Sequence, residues 1–238
     1  MVDSARTHDT PAESSDRRSL IRTGAILGIV AAVMAIAGNA LHPRDSGSSV
    51  PTGLEYLELI GDNDGWAVVH FMIMVASLLL LFAQFTATEF LRSTRAATLA
   101  SAALAFAVFG AAINMTDLLV DGAATTALGE DSSLDEGAVA AAAAALHAVD
   151  FALFSGIMLC FFGVPFALYG LATARSGVLP AWFGWLGVAL SVAMFAVGCW
   201  QVVDGVSNLT YKVLFPTLAA LLTIWFGAWN VLIWRRVR

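Results

Sequence analysis

Six long apolar segments constrain the fold of this chain more than any other feature of its sequence. They cover residues 23–41, 66–90, 96–120, 137–172, 181–203 and 213–234. A helix needs about 20 apolar residues to cross a hydrocarbon core of about 30 Å, so each segment is long enough to span a membrane. The sequence therefore predicts an all-α integral membrane protein, with a bundle of six transmembrane helices within residues 23–238. Residues 1–22 are polar and are expected to form a disordered cytoplasmic tail.

The fourth apolar segment is too long for a single span. As one helix it would measure about 54 Å at 1.5 Å per residue. Its first part, Ala138–Leu146, is almost entirely alanine, which forms helices well but is only weakly hydrophobic. The span itself is therefore expected over residues 148–172, preceded by a helical extension at or outside the membrane interface.

The composition excludes several classes of protein. Hydrophobic residues make up 59% of the chain and charged residues 13%, against about 25% charged residues in a typical soluble domain. A soluble enzyme and a disordered protein are therefore excluded, and no basic patch away from the membrane flanks suggests nucleic-acid binding. Cys160 and Cys199 both lie within apolar segments, where cysteine usually behaves as a small hydrophobic residue.

The basic residues predict the orientation of the helices. With the N-terminus inside, the outside segments contain only Arg44 and Lys212. The inside segments contain Arg6, Arg17, Arg18, Arg22, Arg92, Arg95, Arg175, Arg235, Arg236 and Arg238. This bias predicts a multi-pass protein of the plasma membrane with both termini in the cytoplasm. Residues 23–37 could instead be the apolar core of a signal peptide, but the long polar segment before them favours an uncleaved anchor.

Every predicted span carries a polar residue at a similar depth. Counting about 20 residues outward from each cytoplasmic helix end leads to the outer boundary of the hydrocarbon core. The residues near this level are His42, His70, Asp117, Asp150, Gln201 and Lys212. We therefore expect a ring of polar side chains at the outer end of the bundle.

The spacing of these residues indicates a binding site. Asn114, Asp117 and Asp121 share a helix face at positions i, i+3 and i+7, and His147 lies three residues before Asp150. The predicted ligand-binding residues are His70, Asn114, Asp117, His147 and Asp150. Two of them, His70 and His147, recur with His42 in a predicted metal site, since three imidazoles suit zinc or another transition metal. Its ligands would be His42, His70 and His147.

A structural explanation competes with each of these assignments. Polar residues mark helix ends in any membrane protein, and Asp121 is read as a loop or cap residue. His42 precedes Pro43, so it could simply close the first helix. Asn114 and Asp117 lie deeper than a loop requires, which favours a position in the bundle interior.

Three functions remain open from the residues. The leading interpretation is a non-catalytic membrane protein whose outer-facing His/Asp cluster binds a small ligand, a lipid headgroup or a metal ion. The first alternative is a metal-dependent lipid hydrolase, and the second is a small transporter or accessory subunit. The chain has no HExxH, GxSxG or P-loop motif. The lipid bilayer is the expected environment, and a homo-oligomer or a membrane-protein partner stays open.

A short motif between the fourth and fifth segments resembles a known family. Its residues are Arg175, Ser176, Gly177, Leu179, Pro180, Gly184 and Gly187. This R-S-G-x-L-P turn, followed by a glycine- and aromatic-rich helix, is similar to an uncharacterised family of bacterial and archaeal multi-span membrane proteins, a domain of unknown function. The resemblance implies a six-helix bundle and supplies no catalytic residues. Gly177 is expected to end one helix with a positive φ, and Pro180 to start the next.

Overall fold

The computed structural model describes residues 11–43, 49–130 and 133–238, and these residues form seven helices. They are α1 (Pro11–Leu41), α2 (Gly53–Gly61), α3 (Trp66–Leu91), α4 (Ala97–Glu130), α5 (Glu136–Ser176), α6 (Ala181–Asp204) and α7 (Leu209–Val237). All except α2 are long and apolar enough to cross a membrane. Since the described residues include no β-strand, the predicted all-α membrane bundle is confirmed.

The helix bounds differ from the predicted spans mainly in α1, α4 and α5. Helix α4 continues past its predicted end at residue 120 to Glu130. Helix α1 begins at Pro11, so the described part of the expected disordered tail is helical. One reason lies in Arg17, whose side chain donates a 2.5 Å hydrogen bond to the Glu89 carbonyl oxygen on α3. In the fourth segment, α5 runs without a break from Glu136 to Ser176 and includes the predicted alanine-rich extension. Residues 1–10, the rest of the expected tail, lie outside the described residues.

Helix α1 packs mainly against α3 and α7, and α5 packs against α4 and α6. The short helix α2 lies across one end of this bundle, against the N-terminal part of α5 and the C-terminal part of α4. Its first turn is closed by a capping box, in which Thr52 and Glu55 bond to one another's backbone N–H. The buried side chains of Tyr56 and Ile60 then hold α2 on the bundle.

Three π-helical segments interrupt the regular helices among the described residues. They are Val120–Ala124 in α4, Ile157–Gly163 in α5 and Leu209–Leu214 at the start of α7. Two of them end just before a proline, Pro165 and Pro216. In an α-helix a proline ring collides with the carbonyl four residues earlier. The wider π turn relieves that collision and keeps most backbone groups bonded inside the membrane.

The turn between α5 and α6 agrees with the motif read from the sequence. Gly177 has φ of +77°, the left-handed conformation that glycine adopts without a steric penalty. Pro180 then precedes the first residue of α6 with φ of −62°. The two residues reverse the chain between antiparallel helices.

Close helix contact requires glycine at Gly110 on α4. A Cβ atom there would overlap the backbone carbonyl of Cys160 on α5. We therefore expect Gly110→Ala to separate α4 from α5 and to lower the free energy of unfolding by about 1–3 kcal/mol. Thermal unfolding of the purified protein measures this loss. Gly61→Ala is the matched control, because a Cβ at Gly61 meets no atom within 4 Å. Equal stability of the two variants would contradict the close contact.

Candidate metal and ligand site

A cavity of about 290 Å³ lies at the end of the bundle that α2 covers. Helices α1, α2, α3, α4, α5 and α7 all contribute to its lining. Each of the three π-helical segments does so as well, through Asp121, through Ile157 and Phe161, and through Tyr211 and Lys212. A π turn shifts the side chains that follow it around the helix axis, and such turns are frequent at functional sites. Here they all face one cavity.

Two histidines and an aspartate converge in this cavity. The Nε2 atoms of His42 and His70 are 3.3 Å apart, and His70 Nε2 is 2.7 Å from Oδ2 of Asp121. One ligand atom from each of the three side chains lies within 4.8 Å of the other two. His70 and Asp121 are buried and His42 is partly buried. We call these three residues the His–His–Asp group.

The backbone fixes the protonation of both imidazoles on their other side. His70 Nδ1 lies 2.8 Å from the carbonyl oxygen of Trp66, and His42 Nδ1 lies 2.8 Å from that of Pro43. A carbonyl oxygen only accepts, so each Nδ1 carries the hydrogen and donates it. In the neutral imidazoles the lone pairs therefore sit on Nε2, facing one another and the carboxylate. Three such acceptors at this distance require a cation between them, either a proton or a metal ion.

Asp121 is held in place from both sides. The Tyr56 hydroxyl donates a 2.5 Å hydrogen bond to Oδ1, and the indole Nε1 of Trp66 donates a 3.0 Å bond to the backbone oxygen of Asp121. The next residue, Gly122, lies so close to His70 that an added Cβ would come within 2.7 Å of the histidine Cβ. The carboxylate is thus anchored through Oδ1, while Oδ2 faces the imidazoles.

Tyr56 stays protonated in this environment. It lies in α2, outside the six candidate spans, and its side chain is buried. Burial, followed by the charge of the neighbouring Asp121 carboxylate, raises the pKa of the Tyr56 phenol well above its usual 10.0. The phenol therefore acts as a hydrogen-bond donor to Asp121.

The geometry of the His–His–Asp group fits a tetrahedral metal ion. Two nitrogen ligands at about 2.0–2.1 Å from such an ion lie about 3.3 Å from one another. The spacing of the two Nε2 atoms matches that value. The 2.7 Å contact between His70 and Asp121 is a hydrogen-bond distance, and it would lengthen by about 0.6 Å to admit an ion of this geometry.

Three other predicted residues line the same cavity. Asp117 and Asp150 hydrogen-bond to one another through their side chains, so the pair must share a proton. The other oxygen of Asp117, Oδ1, is buried and has no hydrogen-bond partner among the described residues. Asn114 donates a 2.9 Å hydrogen bond to the hydroxyl of Ser77.

His147 does not join His42 and His70. Its Nε2 donates a 2.9 Å hydrogen bond to the Pro51 carbonyl, and its ring packs 4.1 Å from that of Phe151 and 4.8 Å from that of Tyr56. The third residue beside His42 and His70 is instead Asp121, which the sequence analysis assigned to a loop or cap. The i, i+7 spacing from Asn114 had put Asp121 on the same helix face, but Asp121 was not among the predicted site residues. Tyr56 and Trp66 were not singled out, because their partners come from distant parts of the chain.

Comparison with known proteins assigns the family. A family described as Domain of unknown function (DUF4386) matches residues 23–234. The chain belongs to this family. The match confirms the resemblance that the R-S-G-x-L-P turn suggested. No curated protein and no solved structure matches the chain.

The contact between Tyr56 and Asp121 predicts a measurable coupling. Tyr56→Phe leaves a buried carboxylate oxygen without its donor, which costs about 1–3 kcal/mol. Asp121→Asn weakens the same contact from the other side. We expect the double variant to lose clearly less stability than the sum of the two single losses, with a coupling energy of at least about 0.5 kcal/mol. Thermal unfolding of the four proteins gives this energy, and strictly additive losses would contradict the contact.

Proposed function

We propose that this membrane protein binds a divalent transition-metal ion through His42, His70 and Asp121. The observation that supports the proposal is the 3.3 Å approach of two Nε2 atoms whose rings both donate Nδ1–H to backbone carbonyls. Metal-binding histidines typically have this arrangement, because the second hydrogen bond fixes the tautomer and orients the ring. Two imidazoles and a carboxylate suit zinc and several neighbouring transition metals, and a fourth position would stay open to water or a ligand.

The metal content of the purified protein tests this proposal. We expect near-stoichiometric zinc or another transition metal by elemental mass spectrometry, after purification through a tag without histidines. His42→Ala, His70→Ala and Asp121→Asn should each reduce the content at least tenfold, since each removes one of three ligands.

His147→Ala is the matched control for the metal measurement. It also removes a buried imidazole at the same end of the bundle, but one whose Nε2 already bonds to Pro51. It should keep its metal. The proposal fails if the wild-type protein holds no metal after incubation with zinc, or if His147→Ala loses the ion as completely as His70→Ala does.

A metal-dependent lipid hydrolase is the second candidate, and one observation favours it. Oδ1 of Asp117 is a buried acceptor without a partner, in a carboxyl pair that lines the same cavity. A metal-bound water needs a base to take its proton, and a carboxylate can do this. The hydrolase foreseen from the sequence used His147 as third ligand. The geometry favours Asp121 in that role, with Asp117 and Asp150 beside it.

Large side chains fill the half of the bundle opposite the cavity, which favours ligand binding over transport. The cavity extends along the helices as far as Leu80 and Thr223. Beyond this level the large side chains of Leu91, Phe166 and Trp229 are at most 1% exposed. The Tyr169 hydroxyl also donates a 3.0 Å hydrogen bond to the backbone of α3 there. A transporter needs a second gate through this half, and these side chains occupy the space.

We further infer that the cavity opens toward the outside of the cell. Arginines cluster at the opposite end of the bundle, where Arg95 donates a 2.5 Å hydrogen bond to the carbonyl of Arg175 and Arg17 contacts Glu89. The excess of basic residues at one membrane face favours its placement in the cytoplasm. Both termini would then be cytoplasmic in the plasma membrane.

Cysteine labelling in intact cells tests this orientation. Asp204 and Arg236 are exposed at opposite ends of the bundle. We expect a membrane-impermeant maleimide to label Asp204→Cys from outside and to label Arg236→Cys only after the cells are opened. The unmodified protein gives the background from Cys160 and Cys199. The reverse labelling pattern would invert the orientation.

A further inference from the structure

We propose that the metal-loaded cavity binds one amphiphile, with a single acyl chain and an anionic oxygen headgroup that ligates the metal. This inference rests on the proposed function, since the metal is what would receive the headgroup. Three properties of the cavity support this class of ligand: the separation of polar from apolar residues along its lining, its size and its net charge.

The lining of the cavity is divided along the helix axis. The His–His–Asp group, Asp117, Asp150 and Lys212 occupy the end under α2. Toward the middle of the bundle the lining is mostly apolar, with Leu80, Ile157, Phe161, Phe162, Phe215 and Ala219. Its polar residues there, Ser77, Asn114 and Thr223, are uncharged and make hydrogen bonds within the protein. Polar groups at one end and aromatic and aliphatic side chains at the other match a molecule with a polar head and an apolar tail.

The dimensions of the cavity favour a ligand with a single acyl chain. His70 and Leu80 both line the cavity and lie ten residues apart on α3, which corresponds to about 15 Å along the helix. A volume of about 290 Å³ is at the lower end of the range of about 300–1,000 Å³ for small-molecule pockets. Such a narrow, elongated space holds one acyl chain of medium length and leaves no room for a second.

The charges predict that an anionic head needs the metal. Among the lining residues Asp121 has one negative charge, the Asp117–Asp150 pair has one because it shares a proton, and Lys212 has one positive charge. Without a metal, the proton that then lies between the imidazoles and Asp121 leaves the cavity with no net charge, so an anion finds no excess of positive charge there. A divalent ion makes it net positive by one, which a monoanionic head neutralises. The open fourth position of a three-ligand metal site gives the anionic oxygen its place.

Photocrosslinking in lipid nanodiscs tests the inference without a competing single-chain detergent. The probe is dodecanoate with a photoreactive group in its chain, and the crosslinked peptides are identified by mass spectrometry. We expect metal-dependent labelling of peptides containing Phe161 or Phe215. Excess dodecanoate should reduce this labelling at least tenfold. Dodecanol, which lacks the charge, and butanoate, which lacks the long chain, should not reduce it.

A matched pair of variants locates the chain in the cavity. Ala219 lines the cavity, while the next residue, Ala220, is exposed on the outer surface of α7. Ala219→Leu fills the apolar end and should reduce labelling at least tenfold while the metal content stays unchanged. Ala220→Leu should label as the wild type does. Ala35→Leu fills the cavity from α1 and serves if Ala219→Leu does not fold.

The outcomes separate this inference from the proposed function. If metal is bound but labelling is equal in Ala219→Leu and Ala220→Leu, the amphiphile does not occupy the cavity and only this inference fails. Labelling that persists after metal removal, or that dodecanol competes as well as dodecanoate, overturns the role of the metal as headgroup ligand. If no metal binds, the proposed function fails, and this inference fails with it.

Discussion

The need to satisfy backbone hydrogen bonds without water governs this structure. In the hydrocarbon core an unpaired N–H or C=O group costs several kcal/mol, so each spanning segment is helical. The same rule limits how a cavity can be built, since irregular backbone that faces lipid would leave its polar groups unpaired. The three π-helical segments are compatible with this rule. They redirect side chains and make room for prolines while most backbone groups stay paired.

These π turns connect the course of the helices to the candidate site. An extra residue in a turn rotates the following side chains by about 100° relative to a continuous α-helix. In α4 the turn contains Asp121, which faces His70, and Gly122, which allows the close approach of that histidine. In α5 and α7 the turns contribute aromatic residues and Lys212 to the cavity. The chemistry of the cavity therefore depends on departures from regular helix geometry.

The short helix α2 gives the polar cluster its enclosed character. Tyr56 donates to the Asp121 carboxylate, and its ring lies against those of Trp66 and His147. Without this cover, the imidazoles and carboxylates would be solvated like ordinary helix ends. Because the imidazoles and carboxylates are buried and oriented, they lie in a low-dielectric environment that strongly favours a bound cation. An anionic ligand would then need that cation to balance its charge. The proposed metal binding and the proposed amphiphile binding thus rest on one arrangement of side chains.

The sequence by itself determined the membrane-spanning helices and the depth of the polar residues. Both follow from counting, because a helix rises 1.5 Å per residue and the membrane has a nearly fixed thickness. Of the residues in the depth count, His42, His70, Asp117, Asp150 and Lys212 line one cavity, whereas Gln201 bonds to Thr210 instead. The tertiary structure decided which side chains meet at that depth. His147 turns to the Pro51 carbonyl, while Asp121 joins His42 and His70. The direction of a side chain around its helix depends on a π turn in α4 and on the cover by α2, and both arise from contacts between residues far apart in the chain.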